Sequence, residues 1–277
     1  MKNIRSITAV SLFSLLVSVT TEAGVIIGGS TLLDSDSVAT LEGWLGQGEL
    51  ELTNVFRKSD WPLGYYKNGT QSSFGATSAL WHHYVNGKGP TFTVFEVVTS
   101  DGNDGEDHFL MGGYNPQSWA NESNTPQYSP VHNVTFATED RTAFIFNLTT
   151  NVMLTQCKAT DDPRCGKGGG NSNGRWQTGN HRLSGPTWGI GNDLYVNSTL
   201  SNGGNNQVSY GLTEGDIGFG ADSPLDNDDT QTKWIRVGEL ETFTINAAPV
   251  PSPASLAVFV AGLLSLYARR ARYASHA

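Results

Sequence analysis

Two acids near the end of the chain, Glu239 and Glu241, come nearest to a catalytic spacing. They stand two apart in the run Ile235, Val237, Leu240, Phe243, Ile245, so on a strand both would point to one face. A glycosidase needs two carboxylates across a cleft, one to protonate the leaving group and one to attack or to activate water. Glu241 with another acid could serve so; the simpler role is a buried or rim carboxylate bonded to a loop. The histidines His82, His83, His108, His132, His181 and His276 include no metalloprotease helix motif. His82 and His83 fall near a helix end, where an imidazolium can favour the helix dipole, and a structural or solvated role is the one expected of the histidines. No Gly-x-Ser-x-Gly elbow occurs, and Gly166-Lys167-Gly168 lacks the strand-to-helix setting of a phosphate loop. These residues assign no catalytic group, no metal and no cofactor, and the balance favours a protein that is not an enzyme.

Two acidic stretches offer hard oxygen donors of the kind calcium takes: residues 101–107 and residues 222–229. Neither has EF-hand spacing, since Gly105 stands where the fifth-position ligand belongs, and the first doubles as a hairpin turn. Cys157 and Cys165 are the two cysteines. In an oxidising compartment they read as one disulfide closing a short Asp/Pro/Gly loop, with a stabilisation of about 2–3 kcal/mol. Free thiols are the alternative; zinc would need two further ligands, and none is near. Asn147 is one of five Asn-x-Ser/Thr triplets but lies in an apolar strand, which argues against a glycan there.

The elements that must position these residues are mostly short strands. Glycine and asparagine are abundant and helix-forming runs are few. Residues 44–54 alternate as a half-buried strand would, with Leu45, Leu50 and Leu52 in phase. Residues 72–84 are the best helix, with Ser72 or Ser73 as cap and the Asn86-Gly87 turn as stop. Residues 91–99 and 108–114 read as a hairpin, residues 142–149 as an interior strand, and residues 175–179, 187–191 and 193–196 as short pieces. Residues 198–208 read as a loop. A last strand at residues 234–245 breaks its alternation near Gly238, as a bulge would. Trp61, Trp119, Trp176 and Trp188 could stack on sugar faces if exposed, or fill the core.

Both ends of the chain carry sorting features. Lys2 and Arg5 precede an apolar stretch at residues 7–19, and Thr21-Glu22-Ala23 ends small, so a leader cut between Ala23 and Gly24 is expected. At the other end Pro249-Val250-Pro251-Ser252-Pro253 precedes an apolar run at residues 256–267 and then Arg269, Arg270 and Arg272. The run is short for a permanent span, and the arginines resist translocation. The division expected is residues 1–23 as signal peptide, 24–247 as the folded domain with its core at 44–245, and 248–277 as a sorting tail. Removing both tags takes away five bases and one acid of the 17 and 26 in the chain. The body then holds 12 bases against 25 acids, a net charge of −13. Such a surface repels nucleic acid and suits an exported protein.

The tail resembles the PEP-CTERM sorting signal of Gram-negative bacteria, with Val250-Pro251-Ser252-Pro253 in place of the family's Val-Pro-Glu-Pro. The resemblance implies cutting near the prolines by an exosortase, after signal peptidase has acted and while the inner membrane holds the tail. It also implies release or display among extracellular polysaccharide. The body resembles the TLDc domain in the order of several blocks. These are Phe56-Arg57-Lys58-Ser59, Leu80-Trp81-His82-His83, Gly89-Pro90-Thr91, Gly112-Gly113-Tyr114 with Trp119, Ala143-Phe144-Ile145-Phe146, Asp193-Leu194-Tyr195-Val196, and Glu239-Leu240-Glu241-Thr242-Phe243. Glu241 falls in that family's closing motif. The fold implied is α+β and mainly β, a two-sheet antiparallel sandwich with one or two flanking helices. A non-catalytic interaction module follows from it; a sugar-binding sandwich or a glycoside hydrolase using Glu241 is the alternative.

Overall fold

The computed structural model describes residues 24–62, 66–67, 70–71, 75–100, 106–120, 132–158, 174–190, 192–205, 209–210 and 233–247. Strands β5 (Thr91–Ser100) and β6 (Glu106–Asn115) form the expected hairpin, in continuous antiparallel register from Thr91 opposite Asn115 to Ser100 opposite Glu106. Both faces of β5 are covered. Phe92 and Val94 enter one core, while Phe95 and Val97 enter a second on the opposite face. That two-sided burial is why the segment reads as a near-continuous run of Phe, Val and Thr.

The main sheet runs β2 (Leu50–Arg57), β14 (Lys233–Ala247), β5, β6, β8 (Phe144–Asn147) and β9 (Val152–Thr155), with β1 (Val25–Ile27) parallel to β2 at its edge. Hydrogen bonding continues through β14 into a second layer of β13 (Asn202–Asn205), β12 (Leu194–Val196), β11 (Thr187–Trp188), β10 (Trp176–Gly179) and β7 (His132–Val134), so that the two sheets of the sandwich are one twelve-stranded sheet joined at β14. β14 belongs to both. Its first residues pair with β13, its later ones with β2, and β5 lies along its other side. The two sheets therefore part at the register shift between Val237 and Leu240, where the sequence places its bulge. Lys58, in a 3-10 turn at Lys58–Asp60, reaches into that break and donates to Val237 O at 3.0 Å and Gly238 O at 2.6 Å. A small hairpin of β3 (Tyr66–Lys67) and β4 (Thr70–Gln71) stands apart from both sheets.

The molecule is thus α+β and mainly β, a two-sheet antiparallel sandwich with two helices among the described residues. Helix α1 (Ser35–Leu45) lays Val38 and Leu41 on the outer face of the main sheet, against Leu50, Leu52, Phe92, Phe144 and Phe243. Helix α2 (Ser78–Val85) places Trp81 and Val85 in the core between the sheets. There Trp81, Trp119 and Trp188 stack edge to face, with centroids 4.9 and 5.6 Å apart. Edge-to-face pairs of this kind contribute roughly 0.5–1.5 kcal/mol each beyond their burial. The two sheets meet closely: a Cβ on Gly113 of β6 would lie 2.4 Å from Cε2 of Trp188 on β11.

Three expectations need correction. Residues 44–54 are not one strand: Trp44 and Leu45 close α1, and β2 starts at Leu50. Asp34 caps α1 by accepting from Ser37 N–H at 2.8 Å, and Gly46 ends it in the left-handed region at φ 69°. Helix α2 begins at Ser78, with Thr77 as its cap rather than Ser72 or Ser73. Residues 202–205 form a strand, not a loop, because four register pairs to β14 outweigh the poor strand propensity of Asn and Gly.

Candidate functional site

Glu241 lies where β14 passes β2, opposite Arg57 in register, and its side chain is 0 % exposed. Arg57 Nε donates to Glu241 Oε1 at 2.7 Å. Thr31 donates to the same oxygen from its N–H at 3.0 Å and its Oγ1 at 3.2 Å, and Ser30 Oγ donates to Oε2. Ser30 Oγ in turn accepts from Leu32 N–H at 3.0 Å and Leu33 N–H at 2.7 Å. Arg57 Nη2 donates to Gly29 O at 2.9 Å, and Asn54 Nδ2 donates to the same carbonyl at 3.0 Å. Gly28 and Gly29 have φ of 84° and 69°, a turn that favours glycine, so the loop between β1 and α1 can bend over this pair. One guanidinium, one amide and two hydroxyls all donate to the carboxylate. Its hydrogen bond to Arg57 holds that guanidinium more firmly protonated than an ordinary arginine.

The chemistry available to such a group is fastening. Glu241 ties residues 30–31 to a strand more than 200 positions away, and no local pattern in the sequence points to Ser30 or Thr31. Glu239 does not face a second acid across a cleft; its Oε1 accepts from Ser59 N–H at 3.1 Å and Leu240 N–H at 2.8 Å, closing the bulge beside Lys58. Burial lowers the Lys58 pKa, and Glu239 and Glu96 oppose that.

The histidines fall into separate settings. His82 is buried, with Nε2 3.1 Å from both His181 O and Ser184 O, so that nitrogen donates and joins α2 to the turn after β10. Its Nδ1 lies 2.9 Å from the Asn86 side-chain amide. Burial lowers its pKa, and its bonds give it the structural role expected rather than that of an imidazolium at a helix end. His83 is exposed on α2, while His108 pairs with Glu96 at 2.7 Å on an open part of the main sheet. His132 lies in β7, and His276 is outside the described residues. Among the described residues no group of three His, Cys, Asp or Glu is placed to hold a metal ion. Most of both acidic stretches, residues 101–105 and 222–229, lies outside the described residues.

Of the four tryptophans that could stack on a sugar or fill the core, Trp119 and Trp188 are core. Trp61 is half-buried against Tyr84 at 5.1 Å. Trp176 is half-buried under the Arg175 guanidinium at 5.1 Å, which also lies 5.7 Å from the ring of Phe136, itself 74 % exposed. Asn147 is fully buried, as its strand implied.

Two buried charges went unread in the sequence. The Arg141 guanidinium donates to Thr135 O at 3.1 Å, Phe136 O at 3.1 Å and Cys157 O at 2.8 Å, so it fixes the ends of β7 and β9 together. Asp193 Oδ2 accepts from Ser209 N–H at 2.5 Å and Tyr210 N–H at 2.9 Å. Tyr210 donates to Gln177 O at 2.7 Å, and burial pushes its phenol well up. Asp193 falls in one of the blocks that resemble TLDc, the only signal that could have marked it. Cys157 is buried, its N–H donates to Ser209 O at 2.8 Å, and no cysteine among the described residues is free. Cys165 lies outside the described residues, as do Ala23, Val250, Pro251, Pro253, Arg269 and Arg270; Gly24 is described. Among the described residues no helix is long and apolar enough to cross a membrane.

Among known proteins, no protein-family model matches this chain and no curated protein matches it.

Proposed function

We propose that this is an exported, exosortase-processed surface or extracellular protein whose body is a non-catalytic, TLDc-like interaction module associated with exopolysaccharide. Signal peptidase removes residues 1–23, the tail pauses in the inner membrane, and cutting near Pro251 and Pro253 releases the body. The observation that carries the non-catalytic part is the engagement of Glu241. Its oxygens are held by Arg57, Ser30 and Thr31 inside the body, so the acid nearest to a catalytic spacing is committed to the fold. Cys157 and Cys165 form the one disulfide, in keeping with an oxidising compartment.

Sugar binding is kept as a second reading for one reason: Trp176, Arg175 and exposed Phe136 form an aromatic and cationic patch that does not belong to the buried tryptophan stack. The test of both is a pull-down of the exported protein with host exopolysaccharide, alongside a glycan array and a hydrolysis assay. Retention without hydrolysis is expected for the module. Retention lost in Trp176→Ala would place the sugar on that patch. Hydrolysis abolished by Glu241→Gln, with folding intact, would replace the module by an enzyme.

A further inference from the structure

Gly24, the residue after the expected leader cut, is held in a way that suits a chain terminus better than a chain interior. Its nitrogen donates to Glu42 Oε1 at 2.9 Å, and Leu50 N–H holds the same oxygen at 2.7 Å. A Cβ on Gly24 would lie 2.0 Å from Leu50 O and 2.3 Å from Glu42 Oε1, so the position admits glycine and little else. Glu42 stands in the last turn of α1, where the helix dipole disfavours an acid, and that turn holds no basic residue. No salt bridge engages Glu42 among the described residues, and the nearby Glu49 and Glu51 add further negative charge. Among the described residues no cation pairs with Glu42.

We propose that removal of the leader supplies it: the α-ammonium created at Gly24 forms an ion pair with Glu42, and export processing thereby fastens β1 against α1 and β2. The inference rests on the leader reading given above. In the cut, water adds across the Ala23–Gly24 peptide bond under a leader peptidase. Ala23 keeps the new carboxylate and departs with the leader, and the Gly24 nitrogen takes up protons to become the ammonium. A hydrogen bond charged only on its acceptor becomes an ion pair charged on both sides, on the same Glu42 oxygen.

The test compares chains that run to Ala277 and start either at Gly24 or at Ala23, released from a fusion whose protease leaves a native start, each with Glu42 or Glu42→Gln. The Gly24 start should melt roughly 2–4 °C above the Ala23 start, and the gap should close in Glu42→Gln. Equal melting of the two starts, or a gap that survives Glu42→Gln, overturns the proposal. Should Glu42→Gln fail to fold, Nα-acetylation of the Gly24 start gives the same decision: loss of the gap supports the ion pair, and its persistence overturns it. N-terminal sequencing of the exported protein reports separately on the leader. A start elsewhere overturns the leader reading, while the melting comparison still decides whether Glu42 receives an ammonium.

Discussion

Glu241 shows how a residue that invites a catalytic reading can be wholly occupied by structure. Removing one partner of a buried ion pair leaves the other uncompensated, at a cost of about 3–5 kcal/mol. Because Arg57 is 20 % exposed, Glu241→Ala should fall near the lower end of that range in urea unfolding, and residues 28–33 should become protease-sensitive. Unchanged unfolding would remove the fastening role. Arg57→Ala and Glu241→Ala should also couple, by about 0.5–3 kcal/mol in a double-mutant cycle. His82 gives a pH dependence of defined sign. Burial holds its folded pKa below the unfolded value, so its contribution is present above about pH 6.5 and is lost as pH falls through the folded pKa. Melting temperature followed from pH 7 downward should fall less steeply in His82→Gln than in the unchanged protein. A parallel slope would show that His82 does not titrate on unfolding in that window.

At the scale of elements, the sheets depend on one missing side chain. Gly113→Ala puts a methyl group against the Trp188 ring and should destabilise by about 1–3 kcal/mol, the usual cost of overpacking. Asp34→Ala should cost about 1 kcal/mol by uncapping α1. Both are read by chemical denaturation, and a neutral Gly113→Ala would mean that the sheets can move apart. These elements also show what the sequence could and could not convey. The β5–β6 hairpin, the interior strand β8 and the bulge in β14 were legible because apolar alternation and turn residues agreed there. Helix α1 was hidden although its signals were present: Asp34 as cap, Val38 and Leu41 three apart, Gly46 as stop. Leu45, Leu50 and Leu52 fall in phase across a helix end and a strand, and so imitate a single strand. β13, Asn-Gly-Gly-Asn, has no local signal at all and exists through its pairing with β14. The site divides in the same way. Glu241 and Arg57 stood out in the blocks that resemble TLDc, whereas Ser30 and Thr31 reach Glu241 only through the folded chain.

At the scale of the whole molecule, the proposed function divides the labour: the sandwich is the body, and the tags proposed at its ends set its destination. A disulfide between Cys157 and Cys165 would close its short loop next to Arg141, which already binds Cys157 O. The exported protein should show no reactive thiol without reductant, and two after reduction. Two thiols before reduction would return the cysteines to the free alternative. Replacing Arg269, Arg270 and Arg272 together with Ala should block maturation, since in the proposed function these charges hold the tail at the membrane. The most direct measurement is the intact mass of the protein recovered from outside its native host. Processing at both ends requires a mature species that begins at Gly24 and ends near Pro253; a species that still begins at Met1 or runs to Ala277 on most molecules would contradict it.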